Sequence, residues 1–165
     1  TLTFSGSGTK HWSLPFDTIL TARGSFAVVD SHGGNKSIPI FERQFLGGAR
    51  DLRGFQFRDI GPRDDTGPNA TQEVLGGATS VFGSLELTFP VIGQVRGAVF
   101  YDTGFVNSDS WDFNTGRLAS DVGVGVRLNL PGIGPLAVDF AIPVETPDDQ
   151  ADDGSQIQFY MDYQF

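Results

Sequence analysis

The feature that most constrains the fold is a period of two in hydrophobicity, which runs through most of the sequence. Near the C-terminus, apolar residues occupy every second position in three consecutive segments, and polar or small residues occupy the positions between them. Because successive side chains of a strand point to opposite faces, each segment predicts a β-strand with one apolar and one polar face. The apolar positions are Val122, Val124, Val126, Leu128 and Leu130; Leu136, Val138, Phe140, Ile142 and Val144; and Ile157, Phe159, Met161, Tyr163 and Phe165.

The alternation continues upstream and sets the fold class. Leu85, Leu87 and Phe89 are apolar on one face, as are Val95, Val99 and Tyr101, and two weaker strands lie near 2–12 and 18–29. This makes about seven strands of roughly ten residues, the length that crosses a bilayer when tilted. Short turns (90–93, 131–134) alternate with longer polar loops (107–118, 146–155). The pattern predicts an all-β, transmembrane antiparallel β-barrel rather than a soluble sandwich, whose strands are usually shorter.

Composition excludes several classes of function. A net charge of −9 with only 11 Lys and Arg argues against nucleic acid as a partner. The absence of cysteine removes disulfides, thiolate metal sites and cysteine nucleophiles. His11 and His32 have no companions at metal-ligand spacing, and the acidic pairs 64–65, 148–149 and 152–153 fall in polar turns, where solvated charges are expected. We therefore predict no catalytic site, no metal and no cofactor, and hence no enzyme.

One connection departs from the alternation. Residues 31–78 show little periodicity, yet their centre is rich in apolar and aromatic residues, which argues against disorder. Loops of this length inside a domain are usually functional when they are not disordered. We expect residues 31–78 to form a long loop that folds back into the polar lumen of the barrel.

Within this loop, the tetrad Leu52, Arg53, Gly54 and Phe55 places a permanent positive charge beside a glycine. A buried arginine needs a carboxylate partner, because an unpaired charge in a low-dielectric interior is costly. Asp102 and Glu86 lie on the polar faces of neighbouring predicted strands and are the candidate partners. The alternative is that Arg53 is an ordinary solvated loop charge.

These motifs resemble the BamA-type outer-membrane assembly family. The run Phe45-Leu46-Gly47-Gly48, followed by Leu52-Arg53-Gly54-Phe55 and Ile60-Gly61-Pro62, is similar to the sixth extracellular loop of that family, with its Val/Leu-Arg-Gly-Phe/Tyr signature. Further segments follow in the family's order. They are Ser84-Leu85-Glu86, Phe100-Tyr101-Asp102-Thr103-Gly104, Gly134-Pro135-Leu136 through Ile142-Pro143, and a terminal strand, 156–165, whose Phe159, Met161, Tyr163 and Phe165 resemble the C-terminal insertion signal of outer-membrane proteins.

The resemblance implies a structural role for each motif. Residues 1–165 would be the C-terminal part of a barrel of about 16 strands that stands behind POTRA domains in the cell outer membrane. Arg53 would pair with Asp102, with Glu86 as the alternative partner, and would latch the extracellular loop inside the lumen.

The resemblance also implies an activity, which is insertion of β-barrel proteins into the outer membrane without a cofactor. An incoming client strand would add by β-augmentation at a weak seam beside the last strand. The implied partners are outer-membrane lipid, unfolded outer-membrane protein clients and periplasmic accessory lipoproteins. A TamA-like assembly factor and a two-partner secretion transporter share the loop motif and remain alternatives. Many POTRA repeats would favour assembly and a pair would favour secretion. A passive pore is the alternative from a different class.

Overall fold

In the part of the chain that the structure describes, seven strands form a single antiparallel sheet, and each strand pairs with its neighbours in sequence. The computed structural model describes residues 1–31, 38–64, 72–132, 134–148 and 154–161. The predicted strands and the all-β class are confirmed, although six strands are longer than expected, at 12–14 residues. The strands are β1 Leu2–Leu14, β2 Thr18–Asp30, β3 Thr79–Ile92, β4 Val95–Asn107, β5 Ala119–Leu130, β6 Gly134–Glu145 and β7 Gln156–Met161.

The register brings the apolar positions of neighbouring strands onto one face. Leu85 pairs with Tyr101, Tyr101 with Val122, and Val122 with Ile142, so that these side chains form a continuous row. All four are 41–51% exposed. The row on the opposite face, which contains Ser84, Asp102 and Asp121, is buried. A soluble sandwich would bury the apolar row, whereas a strand in lipid exposes it.

The connections differ in length at the two ends of the sheet. At one end, short turns join β1 to β2, β3 to β4, and β5 to β6. At the other end lie the loop 31–78, the β4–β5 connection 108–118, and the β6–β7 connection 146–155. No helix among the described residues is long and apolar enough to cross a membrane.

The described parts of the loop 31–78 pack against one face of the sheet, which we call the inner face; the other is the outer face. Within the loop, an antiparallel bridge joins Leu46 to Ile60, and a second bridge joins Gln44 to Gly77. Gly47 and Gly48 have φ angles of 112° and 107°, a backbone region that residues with side chains rarely adopt, which explains the glycine pair.

The core of the chain lies between the loop and the inner face. It combines buried loop side chains with side chains from β3, β4 and β5, namely Leu46, Leu52, Phe55, Ile60, Phe82, Val106 and Ala119. Burial of a side chain such as Leu52 or Phe55 contributes about 1.5–3 kcal/mol. The apolar residues that flank Arg53 therefore provide much of the attraction that holds the loop against the sheet.

Candidate functional site

Arg53 lies at the centre of the inner face and is completely buried. Its Nε donates to one carboxylate oxygen of Asp102 at 2.7 Å, and its Nη2 donates to the other at 2.9 Å. The Ser84 hydroxyl donates to Asp102 Oδ1 at 2.5 Å, which fixes the carboxylate from the neighbouring strand. A two-point contact of this kind is the strongest and most directional pairing open to a guanidinium group.

Two further carboxylates contact the third nitrogen of the same guanidinium group. Nη1 of Arg53 donates to Glu86 Oε2 at 2.5 Å and to Asp139 Oδ2 at 3.1 Å. The ring of Phe100 lies beneath the guanidinium plane, with its centroid 3.4 Å from Cζ. Asp102 and Glu86, which the sequence suggested as alternative partners, therefore contact Arg53 together.

Burial and charge act in opposite directions on the cation. Burial alone would lower the pKa of Arg53, but the hydrogen bonds and charges of Asp102 and Glu86 raise it above its usual value. For Asp51, two residues earlier in the loop, the effect of burial on the pKa is larger than the effect of the neighbouring charges. Burial raises the pKa of Asp51, and the charge of Arg23 only partly offsets that effect.

A second arginine completes the cluster. Arg127 on β5 donates from Nη2 to Glu86 Oε2 at 2.8 Å and to Asp139 Oδ2 at 3.1 Å, and from Nη1 to Asp139 Oδ1. Glu86 and Asp139 are thus each shared by Arg53 and Arg127. The four residues form a closed ring of alternating charge that connects the loop with β3, β5 and β6.

Glycines on β5 leave space for this cluster of charged side chains and for the ring of Phe100. A Cβ atom on Gly123 would lie 2.6 Å from Cε2 of Phe100, and one on Gly125 would lie 2.6 Å from Nη1 of Arg127. Both distances are well inside normal van der Waals contact. The glycines that alternate with valine along β5 therefore leave space for the aromatic ring and the second guanidinium group.

Gly54 lies at a point where the loop approaches the sheet closely. A Cβ atom at this position would lie 2.5 Å from Cβ of Asp121. Asp121 is fully buried beneath the loop, and in the described part of the chain neither of its oxygens has a hydrogen bond of normal geometry. Any larger residue at position 54 would push the loop away from Asp121.

The last described strand also contacts the tetrad. Gln158 on β7 donates from Nε2 to the backbone oxygens of Arg53 and Phe55, each at 3.3 Å. The Tyr160 hydroxyl donates to Asp139 Oδ2 at 3.1 Å. The loop, the carboxylate cluster and β7 are therefore parts of one hydrogen-bonded network.

The structure brings most of the sequence-predicted site residues together. Leu52 and Phe55 lie in the core beside Arg53, and Gly54 contacts β5. Phe159 and Met161 are 65% and 47% exposed on the outer face, away from the cluster. Tyr163 and Phe165 fall outside the described residues. Among the residues that the structure describes, no group of three or more His, Cys, Asp or Glu is placed to hold a metal ion.

Sequence reasoning missed Arg127, Asp139, Phe100 and Asp121 as members of the site. All four lie at inner-face positions of their strands, the same parity as Asp102. Their inner-face positions made them candidates for the site, but the register between the strands is needed to show that they meet.

Comparison with known proteins assigns this arrangement to a family. A family model described as the Omp85 superfamily domain matches residues 1–165. The chain is 30% identical over 132 residues to a protein named outer membrane protein assembly factor BamA from Nitratidesulfovibrio vulgaris. It is also 30% identical over 141 residues to the protein of the same name from Neisseria meningitidis serogroup B. These alignments cover 78% and 79% of this chain but only 16% and 17% of the relatives.

A solved structure shows the same architecture. The crystal structure of BamA from Haemophilus ducreyi lacking POTRA domains 1–3 matches with a TM-score of 0.74 and 27% sequence identity. The match covers 96% of this chain and 34% of that chain. The seven strands and their loop therefore correspond to about a third of that chain.

Proposed function

The chain belongs to the Omp85 superfamily of outer-membrane proteins, and on this premise we propose that it forms the C-terminal part of a barrel that assembles and inserts other β-barrel proteins. Two relatives that bear the name of an outer membrane protein assembly factor support this proposal. The observation that carries it is the docked Leu-Arg-Gly-Phe tetrad, with Arg53 buried against Asp102, Glu86 and Asp139.

In this proposal, Arg53 is a latch and not a catalytic residue. Its charge is matched by carboxylates from β3, β4 and β6, so one side chain ties the loop to three strands. Undocking would separate the guanidinium group from these carboxylates and break its two hydrogen bonds to Asp102, which favours the docked state. The latch keeps the extracellular loop 31–78 inside the lumen, where it supports the wall from within.

The insertion step takes place at the edge of the sheet. Within the described residues β7 pairs with β6 alone, so its other edge presents backbone donors and acceptors. An unfolded outer-membrane protein client adds a strand at this seam by β-augmentation, which requires no cofactor. The apolar outer face anchors the strands in outer-membrane lipid, Phe159, Met161, Tyr163 and Phe165 act as the terminal insertion signal, and periplasmic accessory lipoproteins assist the complete protein.

The loop also bears on the alternative functions. A passive pore needs an open lumen, whereas here loop side chains fill the space above the inner face. A TamA-like factor or a secretion transporter would use the same latch on a different polypeptide. The nature of the client therefore distinguishes these functions.

The test is a reconstitution of the full-length protein in liposomes. A urea-denatured outer-membrane barrel is added as client, and its folding is followed by heat-modifiable migration on a gel. We expect the wild-type protein to accelerate client folding and Arg53→Gln to reduce that acceleration. The matched control is Val124→Leu, which changes an exposed residue of the outer face. Large, steady conductance without acceleration of folding would support a pore instead.

A further inference from the structure

Arg127 and Arg53 bind the same two carboxylates, those of Glu86 and Asp139. Glu86 Oε2 accepts from Arg53 at 2.5 Å and from Arg127 at 2.8 Å. Asp139 Oδ2 accepts from both arginines at 3.1 Å. Arg127 belongs to β5 and stays with the sheet, whereas Arg53 belongs to the loop. The two cations therefore share acceptors, but only Arg53 can move away from these acceptors when the loop undocks.

This sharing changes the energetics of loop release. With the loop undocked, Glu86 and Asp139 still have Arg127 as a counterion, so these two carboxylates do not become unpaired charges. With the loop docked, two guanidinium groups stand close together and repel each other in a buried site. Arg127 thus makes the undocked state less costly and the docked state less favourable.

We infer that Arg127 competes with Arg53 for Glu86 and Asp139, and so sets how readily the loop leaves the inner face. Arg127 is a positioning residue that keeps the latch reversible. The inference rests on the proposed role of Arg53 as a latch. It implies a result that a purely structural role would not give: removal of Arg127 should tighten loop docking even where it weakens the barrel as a whole.

The chain offers a probe for loop docking. Ser80 is only 6% exposed and lines a cavity with Gln44, Leu46 and Asp51 of the loop. Ser80→Cys is close to isosteric, and the 165 residues contain no native cysteine. When opening is fast compared with modification, the rate at which a maleimide labels the thiol introduced at position 80 reports the population of the undocked loop. Ser13→Cys, at an exposed position on the same side of β1 but outside this cavity, controls for access of the reagent.

The experiment uses the full-length protein in lipid vesicles, with any cysteines elsewhere replaced. We expect Arg127→Gln to slow labelling at position 80 by about threefold to tenfold, the effect of removing a screened like-charge contact. Arg127→Lys, which keeps the charge but cannot bridge both carboxylates, should slow labelling by a smaller factor. It provides the test if Arg127→Gln does not fold. Labelling at position 13 in the Ser13→Cys control should not change.

The outcomes separate the two proposals. Faster or unchanged labelling at position 80 in Arg127→Gln and Arg127→Lys would overturn the competition between the arginines. Arg53→Gln is measured in parallel and should accelerate labelling strongly. If Arg53→Gln has no effect, the latch itself is wrong. If Arg53→Gln accelerates labelling while both Arg127 variants also accelerate it, the latch stands and Arg127 is only a structural support.

Discussion

Asp102 and Asp121 lie directly opposite each other on β4 and β5, and of the two only Asp102 forms an ion pair with a described residue. Asp102 accepts two hydrogen bonds from Arg53 and one from Ser84. Asp121 is equally buried, yet in the described part of the chain it lacks a hydrogen bond of normal geometry. The docked loop thus places a cation against Asp102, whereas it places Gly54 against Asp121.

This difference predicts stability effects of opposite sign. Asp102→Asn should lower the free energy of unfolding by about 3 kcal/mol, because it leaves the buried Arg53 without its main counterion. Asp121→Asn should raise it by about 1 kcal/mol, because it removes a buried negative charge that lies beside the charge of Asp102. Urea unfolding of the full-length protein in vesicles measures both values. Destabilisation by both substitutions would contradict the proposed difference.

The pairing of Arg53 with Asp102 predicts strong coupling in a double-mutant cycle. Arg53→Ala and Asp102→Ala should each destabilise the docked loop by about 3–5 kcal/mol, because each leaves a buried charge behind. The double variant should be no worse than either single variant. Strictly additive losses in urea unfolding would rule out a direct interaction.

An exposed ion pair of the same chain serves as the control for that cycle. Arg96 and Asp17 lie 2.8 Å apart at the other end of the sheet, with side chains 26% and 77% exposed. Such pairs contribute about 0–1 kcal/mol. A cycle with Arg96→Ala and Asp17→Ala should therefore show little coupling, and a coupling as large as that of Arg53 and Asp102 would show that burial is not the cause.

The close approach of the loop to β5 predicts that Gly54 cannot be enlarged. Gly54→Ala would place a methyl group 2.5 Å from Cβ of Asp121, so the loop must shift away from the sheet. We expect a loss of about 1–3 kcal/mol and, in the Ser80→Cys background, faster maleimide labelling. Gly83→Ala is the matched control, because its nearest neighbouring atom would be 3.9 Å away, and it should be nearly neutral. Equal effects of the two substitutions would exclude a specific contact at Gly54.

Much of the fold could be predicted because alternation determines the face on which each side chain lies. The inward positions of Glu86 and Asp102 follow from parity alone, and the arginine between apolar loop residues pointed to them. Parity does not determine which inward residues meet, because that depends on strand register and on contacts distant in sequence. Asp139 approaches Arg53 across β5 because Gly123 and Gly125 have no side chains, and this could not be read from either strand separately.

The charge of Asp51 predicts a pH dependence of loop docking. Burial raises the pKa of Asp51 in the docked loop, while the nearby Arg23 lowers it and Asp102 raises it further. Because the docked pKa lies above the undocked one, ionised Asp51 disfavours docking at pH values above its docked pKa. This cost disappears as the pH falls through that value.

In the Ser80→Cys background at neutral pH, the protein with native Asp51 should therefore label faster than Asp51→Asn. The ratio of the two rates, in which the reactivity of the thiol cancels, should approach one on acidification. Arg23→Gln, which removes the compensating charge, should enlarge the ratio at neutral pH. A ratio that grows as the pH falls would show that ionised Asp51 favours docking and that its burial is compensated by another group.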